Sequence, residues 1–455
     1  MAEMKTNSQR LKRFFILLIP IFITQTSLFA MHFFDTMMAG QISPQDLAGV
    51  AIGSSLWVAV SAGLAGILLA VTPIVSQYVG ADQQNKVAPF IVQAIYLGIM
   101  MGILVIVAGF LTVPSILGAM NLEAKVYKIS SSFLGLLSVG VIPLLVYTVL
   151  RCFMDALGQT RTTMLITLYA IPINVFINYI MMFGKLGFPK LGGAGAGLAS
   201  ALTYWCLLFI SIYIVHHKPT FSIYAIFQQI QLVHFNTLKK ILKIGIPIGL
   251  SIFFESSVFS AVTILMSRFD TDTIAAHQLA NNFQALLYMT PYSIALALTI
   301  AVGFEVGAGR FKEARLYSII GIVTALILAA FYMTNIIIWD YKIVGIYTSD
   351  YHIQVIAHRF LLFAALFQFS DAIATPVQGI LRGYRDVNVS FVSTLLAYWG
   401  IGLPFGYLLA NFTSLEAVGY WIGLISGLAC SAIFLLWRIF YLQRQQPDLA
   451  NRFTA

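Results

Sequence analysis

Residues 88–114 read APFIVQAIYLGIMMGILVIVAGFLTVP, a run of 27 residues without one charged side chain. About 20 apolar residues cross the hydrocarbon core of a bilayer as a helix, so this run alone predicts a transmembrane helix. The rest of the 455-residue chain agrees, because 59% of its residues are hydrophobic, only 9% are charged and the mean hydropathy is +0.88. This composition excludes a soluble globular domain and predicts an all-α polytopic membrane protein.

Eleven further apolar runs are long enough to span, which predicts twelve transmembrane helices in all. The twelve predicted spans cover residues 13–38, 48–75, 88–114, 127–150, 163–184, 192–216, 241–267, 276–303, 315–339, 353–381, 388–410 and 417–441. With a cytoplasmic N-terminus, 19 of the 26 Lys and Arg residues fall on the cytoplasmic side, as the positive-inside rule requires. We therefore expect a multi-pass membrane protein with both termini in the cytoplasm, and the net charge of +9 requires no nucleic acid.

The second half of the sequence repeats the first. Pro20 corresponds to Pro247 at a spacing of 227 residues, and Leu150-Arg151 corresponds to Leu381-Arg382 at 231 after a small insertion. Six spans per half place both halves in the same orientation, which predicts two six-helix lobes related by a pseudo-two-fold axis along the membrane normal. The predicted parts are an N-lobe, a cytoplasmic linker and a C-lobe, at residues 1–216, 217–240 and 241–455.

Three carboxylates interrupt the apolar spans: Asp35 in span one, Glu255 in span seven and Asp371 in span ten. A charge near the centre of a bilayer costs about 2.5–3.5 kcal/mol on insertion scales, so such residues usually bind something, move protons or pair with each other. We expect no Lys or Arg at the same depth, which makes pairing the weakest interpretation. Cation binding or proton transfer is the stronger one.

Polar side chains of two further spans accompany these carboxylates. Asn174 and Asn178 lie one turn apart in span five, and a stripe in span eight recurs on one helix face. The stripe comprises Gln278, Asn281, Ala285, Tyr288 and Tyr292. A polar face at membrane depth should meet protein or a water-filled cavity. Carboxylate, amide and phenol oxygens are ligands for a hard cation such as Na⁺, and a poorly hydrated carboxylate can instead carry a proton.

Three segments carry a resemblance to a known family. Asp35 lies in FFDTMMAG, Glu255 in FFESSVF and Asp371 in QFSDAIATPVQGILRGYRD. With twelve spans in two halves, the chain resembles the multidrug and toxic compound extrusion (MATE) transporters, most of all their NorM branch. The resemblance implies export of amphipathic organic cations by alternating access, in exchange for inward Na⁺ or H⁺ and without an organic cofactor. Of the two ions we expect Na⁺.

The resemblance also implies roles for individual residues. A cation site, with Na⁺ as the expected ion, would comprise Glu255, Tyr288 and Asp371. An N-lobe polar cluster would comprise Asp35, Asn174 and Asn178. Substrate contacts near the outer mouth would come from Asp35, Ser55, Gln278 and Asp350. This sequence differs from archaeal-type members of the family at one position of the cluster, since those members carry a second acidic residue where this chain has Asn178. The difference weakens a mechanism in which the N-lobe alone binds the coupling proton.

Other classes fit the sequence less well. A lipid or glycan flippase of the same superfamily should line its cavity with basic residues, which we do not expect here. A major facilitator transporter should carry an arginine-rich loop after span two, where residues 78–87 contain one Lys and no Arg. ATP-driven transport would need a GxxxxGK[ST] loop, and a membrane-embedded enzyme would need more catalytic groups. We therefore expect a non-enzymatic, monomeric transporter whose partners are small organic cations and membrane lipids.

Overall fold

The computed structural model describes residues 6–228, 231–348 and 350–445, and these residues form helices and connecting loops without a strand. Twelve of the helical segments are long and apolar enough to cross a membrane, which confirms the predicted number of spans. In chain order α1 to α12 they are Asn7–Gly40, Pro44–Gly80, Gln84–Ala119, Ala124–Ala156, Thr160–Phe183, Ala194–His217, Phe235–Met266, Thr271–Gly307, Phe311–Gly345, Tyr351–Gly383, Val387–Phe412 and Val418–Arg444.

Short polar side chains and glycine define where several of these helices begin and end. The hydroxyl of Ser43 caps α2 by accepting a hydrogen bond from the backbone N–H of Asp46, and the carboxylates of Asp270 and Asp350 cap α8 and α10 in the same way. Such side chains satisfy N–H groups that have no partner within the helix. At the end of α5, Gly184 adopts a left-handed conformation with φ of +66°, which glycine accepts without strain.

Three of the spans are interrupted, and in α4 the interruption is the 3₁₀ turn Ser138–Gly140. The second span consists of the helices Pro44–Leu68 and Val71–Gly80. In α11 the residues Leu396–Gly402 form a π-helical turn between two α-helical segments. A π turn inserts surplus backbone into a helix and changes the direction of the side chains around it, and such turns are frequent at functional sites.

The chain groups into two compact units. The C-terminal unit contains the residues up to Phe22, the short segment Gly80–Asp82 and the chain from Leu250 onward, and the N-terminal unit contains Ile23–Val79 and Gln83–Gly249. Helices α1 and α7 therefore each contribute to both units. The predicted linker includes residues 229–230, which lie outside the described residues, and the predicted lobe boundaries and pseudo-two-fold axis stay predictions.

Each unit has its own arrangement of helices. In the C-terminal unit, α10 packs most extensively against α8 and also contacts α9 and α12, while α11 packs against α12. In the N-terminal unit, α4 packs against α2, α3 and α6, and α5 packs against α6. Of the three carboxylates predicted from the sequence, Asp371 lies on α10, the helix with the most extensive of these contacts.

Small residues bring α8 and α10 unusually close together. A Cβ atom built on Gly379 would lie 2.2 Å from the backbone oxygen of Ala295, and one built on Gly383 would lie 3.0 Å from the backbone nitrogen of Gly303. The hydroxyl of Thr299 donates a 2.9 Å hydrogen bond to the carbonyl of Gly379 across the same contact. Small residues and interhelical hydrogen bonds are the usual basis of close helix packing in membranes, and here they fix α10 against the polar face of α8.

Candidate cation sites

Four polar side chains from four helices meet in the C-terminal unit. Glu255 on α7 is 8% exposed and Asp371 on α10 is fully buried. The phenols of Tyr288 on α8 and Tyr398 on α11 lie beside the Glu255 carboxylate, and both phenols also interact with the charge of Asp371. The structure thus brings together the three residues predicted for the cation site and adds Tyr398. We call these four residues the C-unit cluster.

The carboxylate of Asp371 has one oxygen in use and one free. Its Oδ1 accepts a short hydrogen bond from the hydroxyl of Thr375, one helical turn further along α10. Its Oδ2 is buried and has no hydrogen-bond partner among the residues that the structure describes. Glu255 lies near enough for the two charges to repel each other, so a bound cation or a shared proton would stabilise the pair. The free oxygen of Asp371 is the atom such an ion would contact.

Tyr398 escaped the analysis of the sequence. It lies in the π-helical turn of α11 and is almost completely buried. Helical periodicity does not reveal its position, because the surplus residue of the π turn changes the register of the side chains that follow. The available signal was the interruption of this span by Gly400, Gly402 and Pro404, which marks an irregular helix.

Arg382 is a second residue whose position was not foreseen. We expected no Lys or Arg at the depth of the buried carboxylates, and this stays a prediction, but it did not foresee that a charge from the end of a helix acts on Glu255. Arg382 lies at the C-terminal end of α10, yet it is only 5% exposed, and its charge acts on Glu255. Because an arginine side chain is long, its charge can lie far from the depth of its own backbone.

In the N-terminal unit, Asp35 forms a cluster with Asn174 and Asn178, as predicted. The Nδ2 of Asn178 donates hydrogen bonds to Asp35 at 2.6 Å and to the Oδ1 of Asn174 at 3.2 Å. Two hydroxyls of α6 complete the cluster, since Ser200 donates to the second oxygen of Asp35 at 2.9 Å and Thr203 accepts from Asn174 at 3.4 Å. Both oxygens of Asp35 thus accept a hydrogen bond, whereas only one oxygen of Asp371 does.

The remaining candidates for substrate contact are more exposed. Ser55 lies on the exposed side of α2, where its hydroxyl donates to the carbonyl of Ala51 at 2.8 Å. Gln278 is exposed on α8. Asp350 is also exposed, and its carboxylate already accepts a 2.9 Å hydrogen bond from the backbone N–H of His352 as the cap of α10. Their predicted contact with substrate stays a prediction.

The donor atoms of the C-unit cluster suit a hard cation. Among the residues that the structure describes, no three or more His, Cys, Asp or Glu side chains converge on one point. The two carboxylates and two phenols of the C-unit cluster provide hard oxygen ligands. They include none of the nitrogen or sulfur donors that hold transition metals.

A membrane protein of twelve helices with a buried polar cluster in each of two units has the architecture of a secondary transporter. The MatE family model matches residues 20–180 and 247–408, one segment in each half of the chain. The chain belongs to the MatE family, which confirms the resemblance inferred from the three carboxylate segments. The two matched segments begin 227 residues apart, the spacing of the sequence repeat.

Relatives with similar sequences carry one name. The chain is 56% identical over 452 residues to the "Probable multidrug resistance protein NorM" of Bacillus anthracis, covering 99% of this chain and 100% of that protein. It is 52% identical over 445 residues to the protein of the same name from Bacillus subtilis (strain 168), covering 98% of both chains.

Solved structures share the fold. The eukaryotic MATE transporter AtDTX14 superposes with a TM-score of 0.89 at 20% identity and covers 98% of this chain and 99% of its own. A MATE structure in a bent conformation superposes with a TM-score of 0.87 at 18% identity over the full length of both chains. At such low identity the similarity concerns the fold alone. It confirms the predicted all-helical architecture.

Proposed function

We propose that this chain is a cation-coupled antiporter that exports amphipathic organic cations by alternating access, with Na⁺ as the coupling ion rather than H⁺. Membership of the MatE family and the names of the relatives support multidrug export. The observation that carries the coupling site is the free carboxylate oxygen of Asp371, which lies in a cluster with Glu255 and two phenols. The carboxylate of Asp35, by contrast, already accepts a hydrogen bond at each of its two oxygens.

Coupling between ion and substrate follows from mass action. A cation that enters from outside and binds the C-unit cluster stabilises a state with low affinity for substrate, and substrate that binds from inside favours release of the cation. The two effects are reciprocal, and a coupling free energy of about 1–3 kcal/mol corresponds to a change in affinity of roughly 5–150-fold.

The charge of the substrate follows from the exposed and buried carboxylates. Asp35 and Asp350 favour a positively charged compound, and the many aromatic side chains offer cation–π contacts. We place the protein as a monomer in the bacterial inner membrane with both termini in the cytoplasm. The terminal residues 1–5 and 446–455 lie outside the described residues.

Equilibrium binding tests the coupling ion. Binding of labelled tetraphenylphosphonium to purified protein is measured at fixed pH while Na⁺ replaces choline. We expect Na⁺ to compete with the organic cation in the wild type and to lose this effect in Asp371→Asn. Indifference to Na⁺ combined with competition by protons would transfer coupling to H⁺ and give Asp35 the larger role.

Transport in proteoliposomes tests the class of function. Glu255→Gln and Asp371→Asn should each abolish gradient-driven efflux of the organic cation while the protein remains folded. Normal efflux by either folded variant would remove that residue from the mechanism. Transport of anionic glycolipids alone would favour the flippase, and chemical turnover without a gradient would favour an enzyme.

A further inference from the structure

One face of α10 is polar along half of the helix and completely buried. Its side chains recur at intervals of three and four residues, which places them above one another on the same face. They are Gln368, Asp371, Thr375, Gln378 and Arg382, and none is more than 5% exposed. We call this row the α10 polar face. It leads from the C-unit cluster to the C-terminal end of the helix.

The N-terminal half of the chain lacks such a face at the equivalent positions. The offset of 231 residues that relates Leu150-Arg151 to Leu381-Arg382 aligns the α10 polar face with Leu137, Gly140, Leu144, Tyr147 and Arg151. Only the arginine is common to both rows. An arginine at this point is therefore a feature of both halves, whereas the other four positions of the row are Gln, Asp, Thr and Gln in the C-terminal half and Leu, Gly, Leu and Tyr in the N-terminal half.

The guanidinium of Arg382 is poorly satisfied for a buried charge. Its Nη2 donates a long hydrogen bond of 3.5 Å to the side chain of Gln378. Its Nη1 is buried and has no hydrogen-bond partner within the described ranges. Leaving a buried charged donor without a partner costs free energy. The charge of Arg382 acts on Glu255 and Tyr288, two members of the C-unit cluster.

We propose that Arg382 is a positioning residue that weakens cation binding at the C-unit cluster and thereby allows the bound cation to leave. This inference rests on the proposed coupling site. A guanidinium stays protonated under all physiological conditions. In the empty site its charge offsets the repulsion between Glu255 and Asp371, and in the occupied site it repels the cation. Both effects act in the same direction, so they raise the dissociation constant of the cation and favour its release.

The size of the effect follows from the geometry of the helix. Asp371 and Arg382 are eleven residues apart, which is about 16 Å along an α-helix. Long side chains of a helix point back toward its N-terminus, so the two charges lie roughly 10 Å apart. At an effective dielectric constant of about 20, removal of the charge should tighten cation binding roughly tenfold.

The test separates cation affinity from turnover. Competition between Na⁺ and labelled tetraphenylphosphonium gives the half-saturating Na⁺ concentration of the purified protein, and efflux from proteoliposomes gives turnover. For Arg382→Gln we expect the half-saturating Na⁺ concentration to fall roughly tenfold and turnover to fall because release is slow. Arg382→Lys keeps the charge and should restore both quantities toward the wild type. Arg151→Gln is the same change at the equivalent position of the N-terminal half. It should change neither the half-saturating Na⁺ concentration nor turnover.

The remaining outcomes test the role of Arg382 and the proposed function of the protein separately. The role of Arg382 is refuted if folded Arg382→Gln has the same half-saturating Na⁺ concentration as the wild type. It is also refuted if Arg151→Gln changes this concentration by the same factor as Arg382→Gln. If Arg382→Gln does not fold, Gln378→Glu places a neutralising carboxylate beside the guanidinium. The half-saturating Na⁺ concentration of that variant should also fall, and an unchanged value would again refute the inference. If the wild type shows no competition by Na⁺ or by protons, the proposed function itself fails.

Discussion

Replacing Gly379 by Ala should separate α8 from α10 and disturb the C-unit cluster. The new Cβ would lie 2.2 Å from the backbone oxygen of Ala295 and 2.5 Å from its Cα atom. Carbon and oxygen atoms of neighbouring helices normally stay about 3.3–3.6 Å apart. Since the obstructing atoms belong to the backbone, no side-chain rotation relieves the clash, and the helices must move apart by about 1 Å.

Three contributions set the expected change in the free energy of unfolding. Overpacking of a well-packed core costs about 1–3 kcal/mol, and a clash between backbones belongs at the upper end of that range. Separation of the helices also weakens the hydrogen bond from Thr299 to the carbonyl of Gly379, and such bonds contribute about 0.6 kcal/mol in membrane proteins. The higher helix propensity of Ala recovers about 1 kcal/mol. The net loss is therefore about 2–3 kcal/mol.

Unfolding of the purified protein in detergent measures this loss, with efflux in proteoliposomes as the functional readout. Gly109→Ala is the matched control, because a Cβ on this glycine of α3 meets no atom within 4 Å. The control should be as stable as the wild type or slightly more so, whereas Gly379→Ala should lose stability and most of its efflux. Equal stability of the two variants would refute the argument that close helix packing supports the site.

Two further changes address the N-terminal unit and a helix cap. Asn178→Ala removes the 2.6 Å hydrogen bond to the buried Asp35, so denaturant unfolding should show a loss of about 1–3 kcal/mol. Thr112→Val, which removes an exposed hydroxyl from α3, should show almost none. The second change is Asp270→Ala at the start of α8. Hydrogen bonds from the side chain and backbone of Thr273 hold the pKa of Asp270 below its usual 3.8. Because these bonds favour the ionised carboxylate, the cap stabilises the fold fully above pH 3.8. The stabilisation disappears as the pH falls through the lowered pKa of Asp270. The difference in unfolding temperature between wild type and Asp270→Ala should therefore shrink as the pH is lowered from 5 to 2. A difference that stays constant over this range would contradict the stabilising role of the ionised cap.

The spans and the N-terminal cluster were accessible from the sequence because each depends on local information. Apolar length alone predicts twelve helices. Asn174 and Asn178 lie one turn apart on one helix, so their common direction follows from helical geometry. Their partners Ser200 and Thr203 were missed, because hydroxyl side chains are frequent in membrane helices and only the packing of α6 selects those that meet Asp35.

The C-unit cluster was predictable only in part. The high cost of a buried charge identified Glu255 and Asp371, whereas only the family resemblance selected Tyr288 among the five residues of the α8 stripe. Tyr398 depends on a π turn that breaks the helical register, and Arg382 depends on how far a long side chain extends from the end of its helix. Both are properties of tertiary packing, to which neither periodicity nor hydropathy is sensitive.

Insertion of α10 into a bilayer is a harder step than insertion of α3. The α10 polar face includes Asp371 inside the span, and an aspartate costs about 2.5–3.5 kcal/mol near the centre of an isolated inserting helix, whereas α3 carries no charged residue between positions 88 and 114. Ribosomal synthesis delivers α8 before α10, and α8 is the helix against which α10 packs most extensively. The α10 polar face thus also makes α10 depend on an earlier helix during biogenesis, so a substitution on the α8 surface can lower the amount of protein in the membrane without touching the coupling site.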